Sequence, residues 1–260
     1  MGGLLEDKVV LVAGAGRCLG RAIAVQCALA GADVVLAART GTVIDQIADE
    51  VEQTGRRALA VPADLTDPDA AAALASAATT AFGRVDALVN NAFARPPMAD
   101  LADVELAAVR ATLEVDVFAA LRLTRMLAPA LVESRGAVVM VNSAALRHSR
   151  PRFGAYKVAK AGLLALAQSL STELGPQGVR VNSVAPGYVW AEALEDYFAH
   201  LAAERGVAAR QVYDEVAANL DLRELPEPEA VGDAVVFLIS SLARAVTGHC
   251  LDVNAGEFHH

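Results

Sequence analysis

The chain has 260 residues, of which 55% are hydrophobic and 20% charged. That supplies a large core and leaves no sign of disorder. A formal net charge of −9 without any basic run argues against nucleic acid as a partner, because phosphate recognition needs a basic stripe. Charges break every apolar stretch well short of the ~20 residues of a membrane span, and no secretory leader is expected. Cys18, Cys27 and Cys250 are scattered without metal-like spacing. Reduced thiols in a cytoplasmic protein and no metal site are the expectation.

Apolar runs and helical patterns alternate along the chain. "KVVLVAG" reads as a buried strand, followed by a glycine-rich turn and a helix from about Arg21 to Ala30. "ADVVLAAR" is a second strand, and "TVIDQIADEVEQTG" a helix that stops at Gly55. "RALAVPAD" gives a third strand. The next helix is opened by Asp67 as cap with Pro68 at its first position, and closed by Gly83. "VDALVNNA" is a fourth strand, followed by one long helical region from about Leu101 to Leu131 and a fifth strand, "GAVVMVNS". A helix through "GAYKVAK", a sixth strand "VRVNSVAPG", a last helix "EAVGDAVVFLISS" and a short strand "HCLDVN" complete the pattern.

This alternation predicts a single α/β domain over residues 1–260, with about seven parallel strands covered by helices on both faces. Residues 188–225 look irregular, partly helical and richer in aromatics than their surroundings.

"AGAGRCLG" joins the first strand directly to the first helix. Gly14, Gly16 and Gly20 let the backbone approach a pyrophosphate at the helix N-terminus. The second strand ends "LAART", with Ala38 where an acidic residue would bind ribose hydroxyls and Arg39 following. Together with Arg17 in the turn, Arg39 suits a 2′-phosphate. NADP(H) is therefore the expected cofactor, with NAD(H) the alternative.

Tyr156 and Lys160 stand four residues apart, on one face of an otherwise apolar helix. A phenol gives up its proton only near pH 10, and a neighbouring ammonium favours the phenolate.

In order and on the right elements, "AGAGRCLG", "PADLTD", "NNA", Ser143, Tyr156-x-x-x-Lys160 and Pro186-Gly187 resemble the short-chain dehydrogenase/reductase family, in its shorter single-domain branch. The likeness covers nearly the whole chain and implies a Rossmann-type doubly wound sheet. It implies that Ser143 holds the substrate oxygen, that Tyr156 is the general acid, and that Lys160 tunes it and holds the nicotinamide ribose. The cofactor would lie against Gly14, Gly16, Arg17, Cys18, Leu19, Gly20, Arg39, Asp64, Leu65, Asn91, Ala92, Pro186, Gly187 and Val189, as well as Tyr156 and Lys160. Asp64 would sit beside the adenine. A homotetramer, or a homodimer, follows from the same analogy.

Four positions depart from the family pattern. Cys18 replaces a glycine of the turn, Phe93 the glycine after "NNA", and Ala191 a threonine after Pro186-Gly187. Asp116 replaces the asparagine that completes the catalytic set. In the family that asparagine holds a helix kink and a water that relays protons to the lysine. Aspartate has the same shape and adds a charge, so a surviving relay with altered pH dependence is expected.

The substrate pocket is expected to include Phe93, Arg95, Ala145, His148 and Trp190, and to suit a bulky or aromatic substrate. Residues 147–152 carry Arg147, Arg150 and Arg152, which fit either an anionic substrate or a solvated loop. Trp190, Tyr197 and Phe198 either close over the substrate or pack a lid at 188–225. A ketone–alcohol oxidoreductase is the leading reading. A 3-oxoacyl-thioester reductase and a non-catalytic NADP(H)-binding sensor are the alternatives.

Overall fold

The computed structural model describes residues 3–259; His260 lies outside them. Seven parallel strands form one sheet in the order β3-β2-β1-β4-β5-β6-β7. They are β1 (Val9–Ala13), β2 (Asp33–Ala38), β3 (Ala58–Pro62), β4 (Ala87–Asn90), β5 (Ala137–Val141), β6 (Arg180–Pro186) and β7 (Cys250–Val253). The register runs Val10 to Val34 on one side of β1 and Val10 to Ala87 on the other. β1, β4 and β5 are wholly buried, as their largely apolar sequences, interrupted only by Asn90 at the end of β4, require between two helical layers.

One layer contains α1 (Leu19–Leu29), α2 (Gly41–Gln53) and α9 (Pro228–Ile239), with Ile23, Ile44, Val231 and Val235 packed against Val10, Val12 and Leu36. The opposite layer contains α3 (Pro68–Phe82), α5 (Ala119–Ser134) and α6 (Gly154–Leu174). It buries Leu74, Leu123, Leu127 and Leu163 against Leu11, Leu88 and Val138. α3 starts and stops where the sequence says: the Asp67 carboxylate accepts from Asp69 N, and Gly83 caps the end at φ 72°.

Two boundaries differ from expectation. α1 begins at Leu19, inside the glycine turn, rather than near Arg21. The long helix after β4 is instead α4 (Leu106–Leu113), one π-helical turn (Glu114–Phe118) and then α5. An apolar pattern that stays near helical spacing hides such a widened turn. Between β6 and α9 lie α7 (Glu192–Arg205) and α8 (Ala209–Ala217), which enclose a small apolar cluster of their own. No helix among the described residues is long and apolar enough to cross a membrane.

Candidate active site

The strand order reverses between β1, which continues to β2 and β3, and β4, which continues to β5, β6 and β7. Beyond the carboxyl ends of the strands at such a switch point a crevice opens. Here it is a cleft of about 1420 Å³. Its phosphate end is the turn from β1 into α1. Gly14 stands at φ +92°, where a Cβ would meet Ala92 N at 2.4 Å, and a Cβ on Gly20 would meet Gly14 O at 2.4 Å. By contrast nothing lies within 4 Å of a Cβ on Gly16, so the turn is tight behind and open in front. Cys18 precedes α1 without a side-chain cap bond; the Arg21 amide is taken by Gly16 O at 2.8 Å, which leaves the Gly20 amide ahead of it for an anion. Burial pushes the Cys18 thiol up.

Arg17 and Arg39 both line this end and are exposed. Neither makes a hydrogen bond or ion pair with any described residue. Arg21, one turn into α1, is instead tied to Glu50 at 2.9 Å. Asp64 lines the cleft with its carboxylate held low, first by the Thr66 N–H, then by the Thr66 hydroxyl, with Arg39 adding a weaker pull. Asn91 braces the turn by donating to Gly14 O at 2.6 Å.

At the other end, Ser143 lies two residues past the end of β5 and caps the 3₁₀ turn that follows; its Oγ accepts from Ala145 N at 3.1 Å, so the hydroxyl proton is free to donate. The Tyr156 hydroxyl has no hydrogen bond among the described residues. Lys160 Nζ stands 5.7 Å from the centre of the Tyr156 ring and donates to Val141 O at 3.1 Å. Behind it lies Asp116, whose Oδ2 is 3.1 Å from Nζ and whose Oδ1 accepts from Ala94 N at 2.8 Å. The π-helical turn carries this carboxylate, which is fully buried.

Of the residues expected here, all the cofactor set, Ser143, Tyr156, Lys160, Phe93, Arg95 and Trp190 border the cleft. Asp116 stands behind the lysine. Ala145 and His148 do not belong to the cleft. They line a separate depression of about 500 Å³ with Arg150, Arg152 and Lys157, because the short 3₁₀ turn after Ser143 carries the chain away from it. The loop arginines are committed as well. Arg147 grips Asp252 through two bonds of 3.2 and 3.1 Å, Arg150 donates to the Tyr188 hydroxyl, and Arg152 donates to Met98 O. Phe198 is buried in the lid cluster rather than facing substrate, while Trp190 both borders the cleft and packs edge-on against Tyr213. The sequence reading missed Asn142, Glu192 and Glu229, which also line the cleft. Asn142 could have been flagged as a polar residue directly before Ser143.

A sequence profile described as enoyl-(acyl carrier protein) reductase matches residues 14–257. The chain belongs to the short-chain dehydrogenase/reductase family. L-rhamnose 1-dehydrogenase (NAD(P)(+)) of Azotobacter vinelandii is 35% identical, with 98% of each chain covered. Cis-4-hydroxycyclohexanecarboxylate dehydrogenase of Sinomonas cyclohexanicum is 34% identical, over 98% of both chains. Among solved structures, a 7α-hydroxysteroid dehydrogenase complexed with NADH and 7-oxo glycochenodeoxycholic acid superposes with a TM-score of 0.88. It is 30% identical and covers 98% of this chain and 96% of its own. The protein is therefore an oxidoreductase of a family that uses a nicotinamide cofactor. The open glycine turn, the Gly20 amide and the two arginines at the adenosine end fit that group.

Proposed function

We propose that this dehydrogenase/reductase interconverts a ketone and a secondary alcohol, using NADP(H) in preference to NAD(H), on a bulky, ring-bearing substrate. The carrying observation is that Ser143 and Tyr156, whose hydroxyl protons have no acceptor among the described residues, border the same cleft as the glycine turn, with Lys160 beside the phenol. When bound, the cofactor gives or takes the hydride. Ser143 donates its hydrogen bond to the substrate oxygen and fixes the carbonyl. Tyr156 passes its proton to that oxygen during reduction and takes it back during oxidation. Lys160 holds the ribose and favours the phenolate electrostatically.

NADP(H) is supported by Arg17 and Arg39, two guanidinium groups at the adenosine end with no hydrogen bond or ion pair among the described residues. A ring-bearing substrate is supported by the size of the cleft and by Phe93 and Trp190 on its walls. The relatives named for a cyclohexane alcohol and a 7-oxo bile acid point the same way. The thioester alternative drew on the loop arginines, and those are bound elsewhere. Exposed Leu106, Phe118 and Val158 on α4 to α6 favour a dimer contact on that face, with a second contact at the last strand, Cys250 to Asn254, completing a homotetramer.

The test is oxidation of NADPH and NADH against cyclic ketones, diketones and 3-oxoacyl thioesters. Turnover of cyclic ketones with NADPH at least tenfold better than with NADH is expected. Tight NADPH binding with no turnover of any carbonyl would favour the sensor.

A further inference from the structure

Lys160 is the cation that the reaction places beside both the phenol and the nicotinamide ribose, and in this chain it does not act as a free charge. Its Nζ lies 3.1 Å from Asp116 Oδ2, with the two side chains 3% and 0% exposed. The contact is an ion pair without hydrogen-bond alignment, since Oδ2 has no shaped hydrogen bond. The carboxylate cannot swing away. Its other oxygen is pinned by Ala94 N at 2.8 Å, and the π-helical turn from Glu114 to Phe118 fixes its backbone. Whether the proton rests on nitrogen or on oxygen, the pair carries no net charge. An amide at position 116 would leave the lysine charge uncompensated in a dry site, where charges act over longer distances than in water.

Other charged groups border this end of the cleft. Arg95 lies on the loop after β4, and Glu192 starts α7. Glu114, on the same π turn as Asp116, is neutralised by Arg122 at 2.8 Å. On α6 the titratable neighbour of Lys160 is Tyr156, and β5 presents only the Val141 carbonyl. Among the described residues, only Asp116 is ion-paired with Lys160.

We propose that Asp116 is a positioning residue that cancels the charge of Lys160 and so biases the site toward the oxidised, cationic form of the nicotinamide. The proposal rests on the nicotinamide-dependent reading above. The two forms of the cofactor differ by one positive charge at the ring, so a net-neutral lysine–carboxylate pair repels the oxidised form less than a lone ammonium would. Val141 O still holds Nζ when the carboxylate is lost, so the lysine stays in place and the change is one of charge.

The experiment compares the wild-type chain with Asp116→Asn, and with Asp116→Ser as a second neutral variant should the amide fail to fold. Dissociation constants for NADP⁺ and NADPH are measured by calorimetry, without turnover. The ratio of the NADP⁺ constant to the NADPH constant should rise about three- to tenfold in the neutral variants. An unchanged ratio in a folded variant would overturn the proposal and leave the cofactor reading standing. Failure of the wild-type chain to bind either nicotinamide cofactor would overturn both.

Discussion

The floor of the cleft and the segment 188–225 are built differently. The floor is the row of carboxyl ends of β1, β4, β5 and β6, backed by two large apolar clusters. Its working groups are fixed by backbone contacts: Asn91 on Gly14 O, Asp116 on Ala94 N, Lys160 on Val141 O. The segment 188–225, proposed as the lid, encloses its own small cluster of Phe198, Ala202, Val212, Ala217, Leu220 and Leu225. A segment with few buried apolar partners opens at lower free-energy cost than a central sheet. The chemistry proposed above thus sits on the part backed by the two large clusters, and the proposed control of access falls to the part with the small one.

The sharpest way to break that contrast is Phe198→Ala. Phe198 is 1% exposed and contacts the Tyr188, Trp190 and Tyr197 rings. Its truncation should cost about 3–4 kcal/mol locally. Limited proteolysis should then cut within 188–225, and KM for substrate should rise while the main melting transition moves less. A uniform loss of stability instead would join lid and floor into one unit.

The base of the floor gives a pH test. Asp86, at the start of β4, is buried and binds Arg84, Val9 N and Lys8. Burial alone pushes its carboxyl up, but those bonds outweigh it and hold the group below its ordinary value. A carboxylate depressed in the folded state stabilises the fold above the unfolded value, about 3.9, and loses that contribution as pH falls through the folded one. Asp86→Asn should therefore cost about 2 kcal/mol at pH 7, with the deficit shrinking below pH 4 in urea melts. A deficit independent of pH would contradict it.

A smaller effect sharpens the cofactor end. Arg39→Ala should raise KM for NADPH about tenfold, one lost charge-assisted contact, while KM for NADH changes less than twofold. Equal losses for both cofactors would remove the case for a 2′-phosphate.

The elements that carry the site were legible because glycines, caps and buried strands act locally. "AGAGRCLG" and the Asp67–Pro68 start need only neighbouring residues to be read. Three features were not legible, each for a physical reason. The π turn at Glu114–Phe118 keeps an apolar spacing that a regular helix would also show. Arg147 and Arg150 find their partners in Asp252 and Glu257, more than 100 residues away, so the sequence counts their charges without showing that they are spent. Ala145 and His148 follow Ser143 closely in sequence, but the 3₁₀ turn places them in the neighbouring depression.

The most direct test of the account is Tyr156→Phe, assayed for cyclic-ketone reduction with NADPH beside a measurement of NADPH affinity. The account predicts a fall in kcat of about 10²- to 10⁴-fold, the contribution of a positioned proton donor, with cofactor affinity and melting temperature unchanged. Turnover retained within a few-fold would show that the proton comes from another group and would contradict the assignment of Tyr156.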